Sequence, residues 1–411
     1  MSDVVVIGAG PAGLIAAAEA AKNGNKVTLL EKNAKVGRKL YISGKGRCNI
    51  TNDCDINTLI KNTPGNGRFL YSAFNNFSSQ DIMEYFNELG VQTKTERGNR
   101  VFPMSDKAGD VVDALYKNVS KSGAELILNS EVVSIDVMSV PKSVVYSQKG
   151  REKIIHCDNI IIATGGVSYP LTGSTGDGLH FAKAIGHTVN QVRPSLVPLV
   201  TAEKWVKDLQ GLALKNVNLI LVKGESTKIF EDFGEMLFTH YGMSGPLILS
   251  ASSHIRDCDY SDLKVKIDLK PALDIEQLDK RLQKDFSKYI KKNFGNALDD
   301  LLPKSMIPIV VMLSGIEEAR QVNQITKEER RKLAELLKSF TLTPVAPRPI
   351  EEAIVTTGGI CVKEINPKTM ESKMVSGVYF AGEIMDVDAY TGGFNLTIAF
   401  STGYAAGKSI Y

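Results

Sequence analysis

The chain opens on an unbroken apolar run, Val4-Val5-Val6-Ile7, followed by a glycine turn and an alanine-rich segment. A run this short and this uniformly apolar predicts a strand buried on both faces, as in a parallel sheet. Leu14-Ile15-Ala16-Ala17-Ala18-Glu19-Ala20-Ala21 predicts a helix by propensity, ended by Asn23-Gly24-Asn25. Lys26-Val27-Thr28-Leu29-Leu30 predicts a second strand, with Glu31 at its carboxyl end. Asn159-Ile160-Ile161-Ile162 and Val378-Tyr379-Phe380 repeat the pattern, each ending in small residues. Ile82, Tyr85, Phe86 and Leu89 recur at helical spacing, as do Val111, Val112, Leu115 and Val119, so 55–120 is predicted mainly helical. Residues 125–135 and 142–156 are predicted as paired strands, and a helix is predicted from about Leu179 to Ile185.

The period changes in the middle. Val217 to Val222 and Leu263 to Leu269 alternate, predicting an antiparallel sheet or barrel. From 275 to 340 the pattern is helical, and Leu278, Leu282, Phe286 and Ile290 define one predicted buried face. Lys280, Arg281, Lys284, Lys288, Lys291 and Lys292 lie off it. The predicted organisation is a discontinuous α/β domain (1–187 and 356–411), a β-barrel (190–274 and 341–355) and a helical subdomain (275–340).

Composition narrows this little. The 411 residues carry a net charge of +3, too small to argue for nucleic acid. No run of about 18 apolar residues offers a membrane span, and the start reads as a strand rather than a signal segment, so the expectation is a cytoplasmic protein without a membrane partner. The five cysteines form no C-x-x-C, so neither a metal site nor a redox disulfide is signalled.

The chemistry begins at Gly8-Ala9-Gly10-Pro11-Ala12-Gly13, a G-x-G-x-x-G between strand and helix. Gly8 permits the turn, Gly10 lets backbone approach a pyrophosphate, and Gly13 lets helix pack on strand. The helix N-terminus then offers N–H groups to phosphate, and Glu31, followed by Lys32, is placed for a ribose hydroxyl. In this context the motif marks a dinucleotide site without separating NAD from FAD. Residues 36–52 hold three glycines and four cations, a loop suited to an anion. Arg38 and Lys39 are expected to neutralise phosphate, and Ser43, Gly44 and Asn49 to reach the ring end. The backbone of Val133 is a candidate for an adenine edge. Ala163, Thr164 and Gly165 end a strand where a sheet meets a cofactor. Near the C-terminus, Gly382, Glu383 and Asp386 follow a strand, with Asp386 suited to a ribityl hydroxyl. Gly393, Phe394, Asn395 and Leu396 begin a helix whose N–H groups would face the ring. Gly173-Ser174-Thr175-Gly176-Asp177-Gly178 lacks the preceding strand and Lys-Ser/Thr ending of a triphosphate loop.

These motifs, with Ser43-Gly44-x-Gly46-Arg47-Cys48-Asn49, Phe238-Thr239-His240-Tyr241-Gly242-Met243-Ser244-Gly245-Pro246 and Thr357-Gly358-Gly359, resemble those of the aminoacetone-oxidase-like or BaiN-like flavoproteins, relatives of fumarate-reductase-type flavoproteins. The resemblance spans essentially the whole chain. Phe394 and Thr397 stand where Tyr and Gln are common in that family. It implies non-covalent FAD in a Rossmann-like, glutathione-reductase-like domain, an inserted barrel with a helical subdomain, and a substrate site between flavin domain and barrel. Members resemble amine oxidases, reductases of unsaturated steroid-like acids, and enzymes that reduce a uridine in ribosomal RNA.

The expectation is hydride transfer at flavin N5 involving a small amine or unsaturated acid. The alternative is an RNA-modifying reductase that makes dihydrouridine with NAD(P)H, its phosphate backbone held by the lysine-rich 275–340 block. No second G-x-G-x-x-G follows a strand, so NAD(P)H would be a transient reductant, or oxygen the acceptor. Acid–base candidates are His240, before a helix that Ser244 or Gly245 would cap, then Cys48, then Tyr169. The plainer readings are an ordered turn histidine and a small buried thiol. The oligomeric state is not encoded in any of these patterns.

Overall fold

Five short parallel strands carry the first part of the molecule in the computed structural model, which describes residues 1–411 apart from Glu225, Arg256 and Asp257. They are β1 (Asp3–Ile7), β2 (Lys26–Leu30), β3 (Glu125–Ile127), β4 (Asn159–Ile162) and β5 (Val378–Phe380), in the order β5-β4-β1-β2-β3. All neighbours are parallel. Val4 to Ile7 and Ile160 to Ile162 are buried, as expected for strands covered on both faces.

Helices cover this sheet. The labels used below are α1 (Pro11–Lys22), α2 (Asp177–Ala184) and α3 (Phe394–Lys408). A side-chain carbon at Gly403 would overlap the Ala12 carbonyl oxygen, and one at Gly407 the Ala16 carbonyl oxygen. Two glycines four apart thus meet two alanines four apart, and α1 and α3 touch backbone to backbone. Around them the carboxylate of Glu19, 3% exposed, accepts from Lys22 at 2.7 Å and from the Tyr85 hydroxyl at 3.3 Å, with Lys408 at 3.4 Å. Burial and the Glu19 charge hold the Tyr85 phenol well above its usual range.

The helices Ser79–Glu88 and Ala108–Ser122 bury the apolar positions read from their spacing except Leu89, a partly buried C-cap, and Arg100–Pro103 between them is a strand. The pairing expected for 125–135 with 142–156 holds from Ser130 onward and is corrected before it, where Glu125–Ile127 joins the parallel sheet. Ser130–Asp136, Lys142–Gln148 and Arg151–Cys157 form a separate three-stranded antiparallel sheet, turned at Lys149 and Gly150, both with positive φ.

Two compact units divide the chain, Met1–Ser195 with Pro349–Tyr411, and Leu196–Arg348. The antiparallel ribbon of Val189–Ser195 with Val355–Ile360 therefore belongs to the first unit, although the sequence placed most of it in the insertion. The second unit holds both the sheet and the helices of the middle region. Its seven strands run Phe340–Leu342, Leu263–Asp268, Ala213–Lys223, Thr227–Thr239, Gly242–Ser244, Leu199–Thr201, Pro344–Pro347. The first and last are consecutive in the chain, joined by Thr343 alone, so the sheet has to curl on itself. Among the described residues its α-helices are Pro246–Ser252, Ile275–Lys288, Ile307–Ser314 and Lys327–Lys338. Leu278, Leu282 and Phe286 are buried, but the helix ends at Lys288 and Ile290 is 51% exposed.

The α1–α3 contact yields a stability prediction. Gly403→Leu must push the helices apart and is expected to cost roughly 1–3 kcal/mol, the scale of overpacking a tight contact. The check is urea unfolding of the apoprotein; an unchanged midpoint would show that the helices separate without cost.

Candidate functional site

The three glycines of the opening motif do different things in the structure. Gly8 has φ +101°, and a side-chain carbon there would lie 2.7 Å from the Ala163 carbonyl oxygen. One at Gly13 would overlap the Gly8 carbonyl oxygen. Both are demanded by the crossing of β1, α1 and β4. Gly10 has ordinary φ, −78°, and no atom within 4 Å of where its side chain would be. The first and third glycines therefore serve the fold, and the middle one keeps a space clear.

That space is a cavity at the carboxyl edge of the parallel sheet, where doubly wound folds bind ligands. Gly8, Gly10, Pro11 and Ala12 line it from β1 and α1, and Glu31 and Lys32 from the end of β2. Arg38, Lys39 and Ser43 come from the basic loop, and Ala163, Thr164 and Gly165 from the end of β4. Gly382 and Glu383 follow β5, and Asn395 and Leu396 occupy the first turn of α3. The structure thus brings these sequence candidates to one wall.

Seven candidates do not line it. Gly13 and Gly44 are packed against backbone, Gly44 with φ +57° and a side-chain carbon 2.9 Å from the Asn49 nitrogen. Asn49 stands beside it, its Oδ1 buried without a partner. Val133 is 49% exposed, while its neighbour Val132 and Ser130 line the cavity, so the strand presents its other face. Asp386 accepts from Gly358 N–H at 3.1 Å, Asn190 at 2.8 Å and Asn66 at 3.3 Å. Gly393, the N-cap of α3 with φ +102°, is pressed on the Thr51 carbonyl, and Phe394 is buried.

Charges are largely committed. The Glu31 carboxylate accepts from Ala9 N–H at 2.9 Å and from the Asn33 N–H and Nδ2 at 2.9 and 2.6 Å. Lys39 donates to Ser168 at 2.6 Å and pairs with Glu383 at 2.7 Å, and Glu383 also accepts Thr356 N–H at 2.8 Å. Lys39, expected with Arg38 to neutralise phosphate, is thus paired with a carboxylate of the chain itself. Arg38, exposed, donates to Asn33 at 2.6 Å. Arg47 turns to Glu96 and Asp106 and stacks 4.1 Å over Phe102. The Asn395 side chain clamps Ala389 through N–H···Oδ1 at 2.9 Å and Nδ2–H···O at 2.7 Å, which leaves only its backbone to face the cavity.

The acid–base candidates lie elsewhere. Cys48 is fully buried at φ +59°, and burial pushes its thiol up to about 12, with Ser43 opposing. It does not line the cavity. His240, in the second unit, is exposed, edge-on to Tyr241 at 4.8 Å. The following helix, Pro246–Ser252, takes Gly245 as its N-cap. Tyr169 has φ +52° and lies 6.0 Å from Lys39 Nζ.

Residues the sequence reading left out also line the cavity. Thr172 is one, and Gly173, Ser174 and Asp177 come from the Gly173–Gly178 stretch, whose glycine spacing was the available signal. Ile398 and Ala399 lie three and four positions after Asn395, on the same helix face.

The profile of the HI0933-like protein Rossmann domain matches residues 2–409. The chain belongs to this family. Among curated relatives, it is 32% identical over its whole length, and 98% of the other's, to a protein named ribosomal RNA dihydrouridine synthase from Haemophilus influenzae. It is 29% identical, over its whole length and 99% of the other's, to a 3-dehydro-bile acid delta(4,6)-reductase from Clostridium scindens. Among solved structures it resembles 3-ketosteroid delta1-dehydrogenase from Sterolibacterium denitrificans (TM-score 0.55, 13% identity, 100% and 99% of the two chains). It also resembles a flavocytochrome c3 fumarate reductase (TM-score 0.53, 17% identity, 100% and 78%). The HI0933-like chain thus carries a Rossmann-like domain within a fold shared with a solved dehydrogenase and a solved fumarate reductase. Among the described residues no helix is long and apolar enough to cross a membrane.

The cavity fits FAD on the structure's own terms. Gly10 keeps its approach open, the first turns of α1 and α3 border it, and Thr164 Oγ1 in its wall is buried without a partner. Gly10→Ala is expected to change apoprotein stability by less than about 1 kcal/mol, because the new carbon meets nothing. It should weaken FAD binding by about tenfold, since it fills ligand space. Calorimetric titration of the apoprotein with FAD checks this; unchanged affinity would remove the pyrophosphate from this turn.

Proposed function

We propose that the enzyme reduces a carbon–carbon double bond conjugated to a carbonyl group, using bound FAD as the hydride carrier. The observation that carries the reading is the convergence of the β1, β4 and β5 ends and the first turn of α3 on one cavity. The full-length relatives add support, because both printed activities are of one chemical kind. Forming dihydrouridine saturates a ring bond conjugated to a carbonyl, and a delta(4,6)-reductase saturates bonds of a conjugated steroid. An amine substrate, part of the initial expectation, has no such support.

FAD supplies hydride transfer at its N5 when bound. The chain's residues bind and orient. The N–H groups at the start of α3 would offer partial positive charge to an electron-rich ring held beside them. Glu31 holds the Ala9 turn, and the Lys39–Glu383 pair joins the basic loop to the end of β5. Cys48 is poorly suited to give a proton near neutral pH, since its thiol is buried and its neighbours are apolar core.

A second reading concerns the substrate's carrier. The relative named ribosomal RNA dihydrouridine synthase favours a uracil ring within RNA over a free enone or unsaturated acid. Lys280, Lys284, Lys291 and Lys292 would then be a phosphate-contacting surface of the second unit.

The experiment is anaerobic stopped-flow. Reduction of the flavin by NADH or NADPH is expected, followed by reoxidation by a 3-oxo-Δ4 steroid acid or by unmodified ribosomal RNA. Salt-sensitive reoxidation by RNA alone selects the second reading. Reduced enzyme that neither compound reoxidises, while oxygen does, would sink both. In the same assay His240→Ala distinguishes an acid–base role from packing. A proton donor requires a fall of about a hundredfold in reoxidation with flavin reduction intact, and unchanged rates leave His240 as Tyr241's neighbour.

A further inference from the structure

Two stretches far apart in sequence both line the cavity and also grip each other. One is the end of β2, Glu31 to Asn33. The other is the segment from Ser168 to Asp177, which leads into α2. Lys32 Nζ pairs with Asp177 Oδ2 at 2.6 Å and donates to Thr175 Oγ1. Asn33 Nδ2 donates to the Thr172 carbonyl at 3.3 Å, and Asn33 so crowds Gly173 that a side-chain carbon there would overlap it. Two separate stretches that line one cavity and bond to each other bridge its wall. Leu171, at the crown of the segment, is 87% exposed, and no core packing holds it down. Tyr169, Gly173 and Gly176 all have positive φ, so the segment turns sharply at each end.

We propose that residues 168–177 form a strap across the cavity, fastened to the end of β2 by the Lys32–Asp177 ion pair, and that unfastening this pair sets the rate of FAD entry and exit. The proposal rests on the reading of the cavity as the FAD site. The end of β2 carries Glu31, the acid placed for a ribose, so the strap closes the nucleotide part. Lys32 and Asp177 have side chains 23% and 33% exposed, open enough for solvent ions to compete. Lys32 is thereby a positioning residue, with its charge answered by Asp177 before any phosphate arrives.

A strap and a direct phosphate contact make opposite predictions for the acid. If Lys32 binds the pyrophosphate itself, Asp177→Asn frees the cation and slows FAD release. If the pair is a fastener, Asp177→Asn and Lys32→Met both speed release by about fivefold, the scale of one partly exposed ion pair. They also speed uptake by a similar factor, because an open strap admits what it lets go. The double variant should be no faster than either single one, and the exchanged pair Lys32→Asp with Asp177→Lys should restore slow exchange.

The measurement is flavin fluorescence. Uptake is followed after mixing apoprotein with FAD, and release after dilution into an excess of a flavin-scavenging apoprotein. Slower release in Asp177→Asn, or release that rises without faster uptake, overturns the strap. Failure of the wild-type apoprotein to take up FAD overturns instead the cofactor reading on which it stands.

Discussion

Everything in the first unit depends on bringing backbone against backbone at the carboxyl ends of three parallel strands. β1 turns into α1 directly over the end of β4, with Gly8 against Ala163 and Gly13 against Gly8. A side-chain carbon at Gly382, after β5, would lie 3.0 Å from the Ala12 side chain. α3 then lies on α1 through Gly403 and Gly407. Each contact removes a side chain where one would ordinarily fill the core. The small residues that the turn demands are also those that leave room for a ligand between strand ends and helix starts. Close packing and the cavity have one cause.

The same economy governs charge. A basic loop beside a dinucleotide cavity suggests cations waiting for phosphate, yet Lys39 is matched by Glu383 and Lys32 by Asp177. Arg47 is held by Glu96 and Asp106, whose carboxyls it keeps below their usual range together with Lys94. What remains for an anion is N–H from helix starts, together with the exposed side chains of Arg38 and Lys35. Fixed N–H dipoles need no rearrangement when a ligand arrives, whereas a free lysine would have to be ordered.

How much of this was legible in the sequence follows from what is local. The β1–α1–β2 unit and Glu31 are contiguous, and their period and turn chemistry identify them without reference to the rest of the chain. The helix faces at Ile82–Phe86 and Val111–Val119 are equally local. Illegible were choices between partners. Nothing in the composition of 36–52 tells that Lys39 meets a residue 344 positions away. Val133 against Val132 is a register choice, where a shift of one residue swaps faces. Ile290 continued a perfect spacing past the point where Tyr289 ended the helix. The Gly173–Gly178 stretch was compared with a triphosphate loop, and its place in the cavity depends on contacts with Lys32 and Asn33, which no spacing encodes.

The segment after β5 shows the same logic at single-residue resolution. Asp386, Val387 and Asp388 follow one another in an irregular stretch after β5, and the acids and the valine make different contacts. Val387 lines the cavity. Asp386 accepts from Gly358 N–H and Asn190, and Asp388, 1% exposed, accepts from Ser195 at 2.7 Å and Thr357 at 3.0 Å. Both acids are therefore spent on the ribbon of Val189–Ser195 and Val355–Ile360. The acid expected to hold a ribityl hydroxyl anchors the strands through which the chain leaves and re-enters the first unit. A buried carboxylate needs several donors, and a ribbon edge with a glycine N–H and two hydroxyls supplies them. The cavity wall at this point is the intervening valine, whose side chain can meet a ligand only by packing.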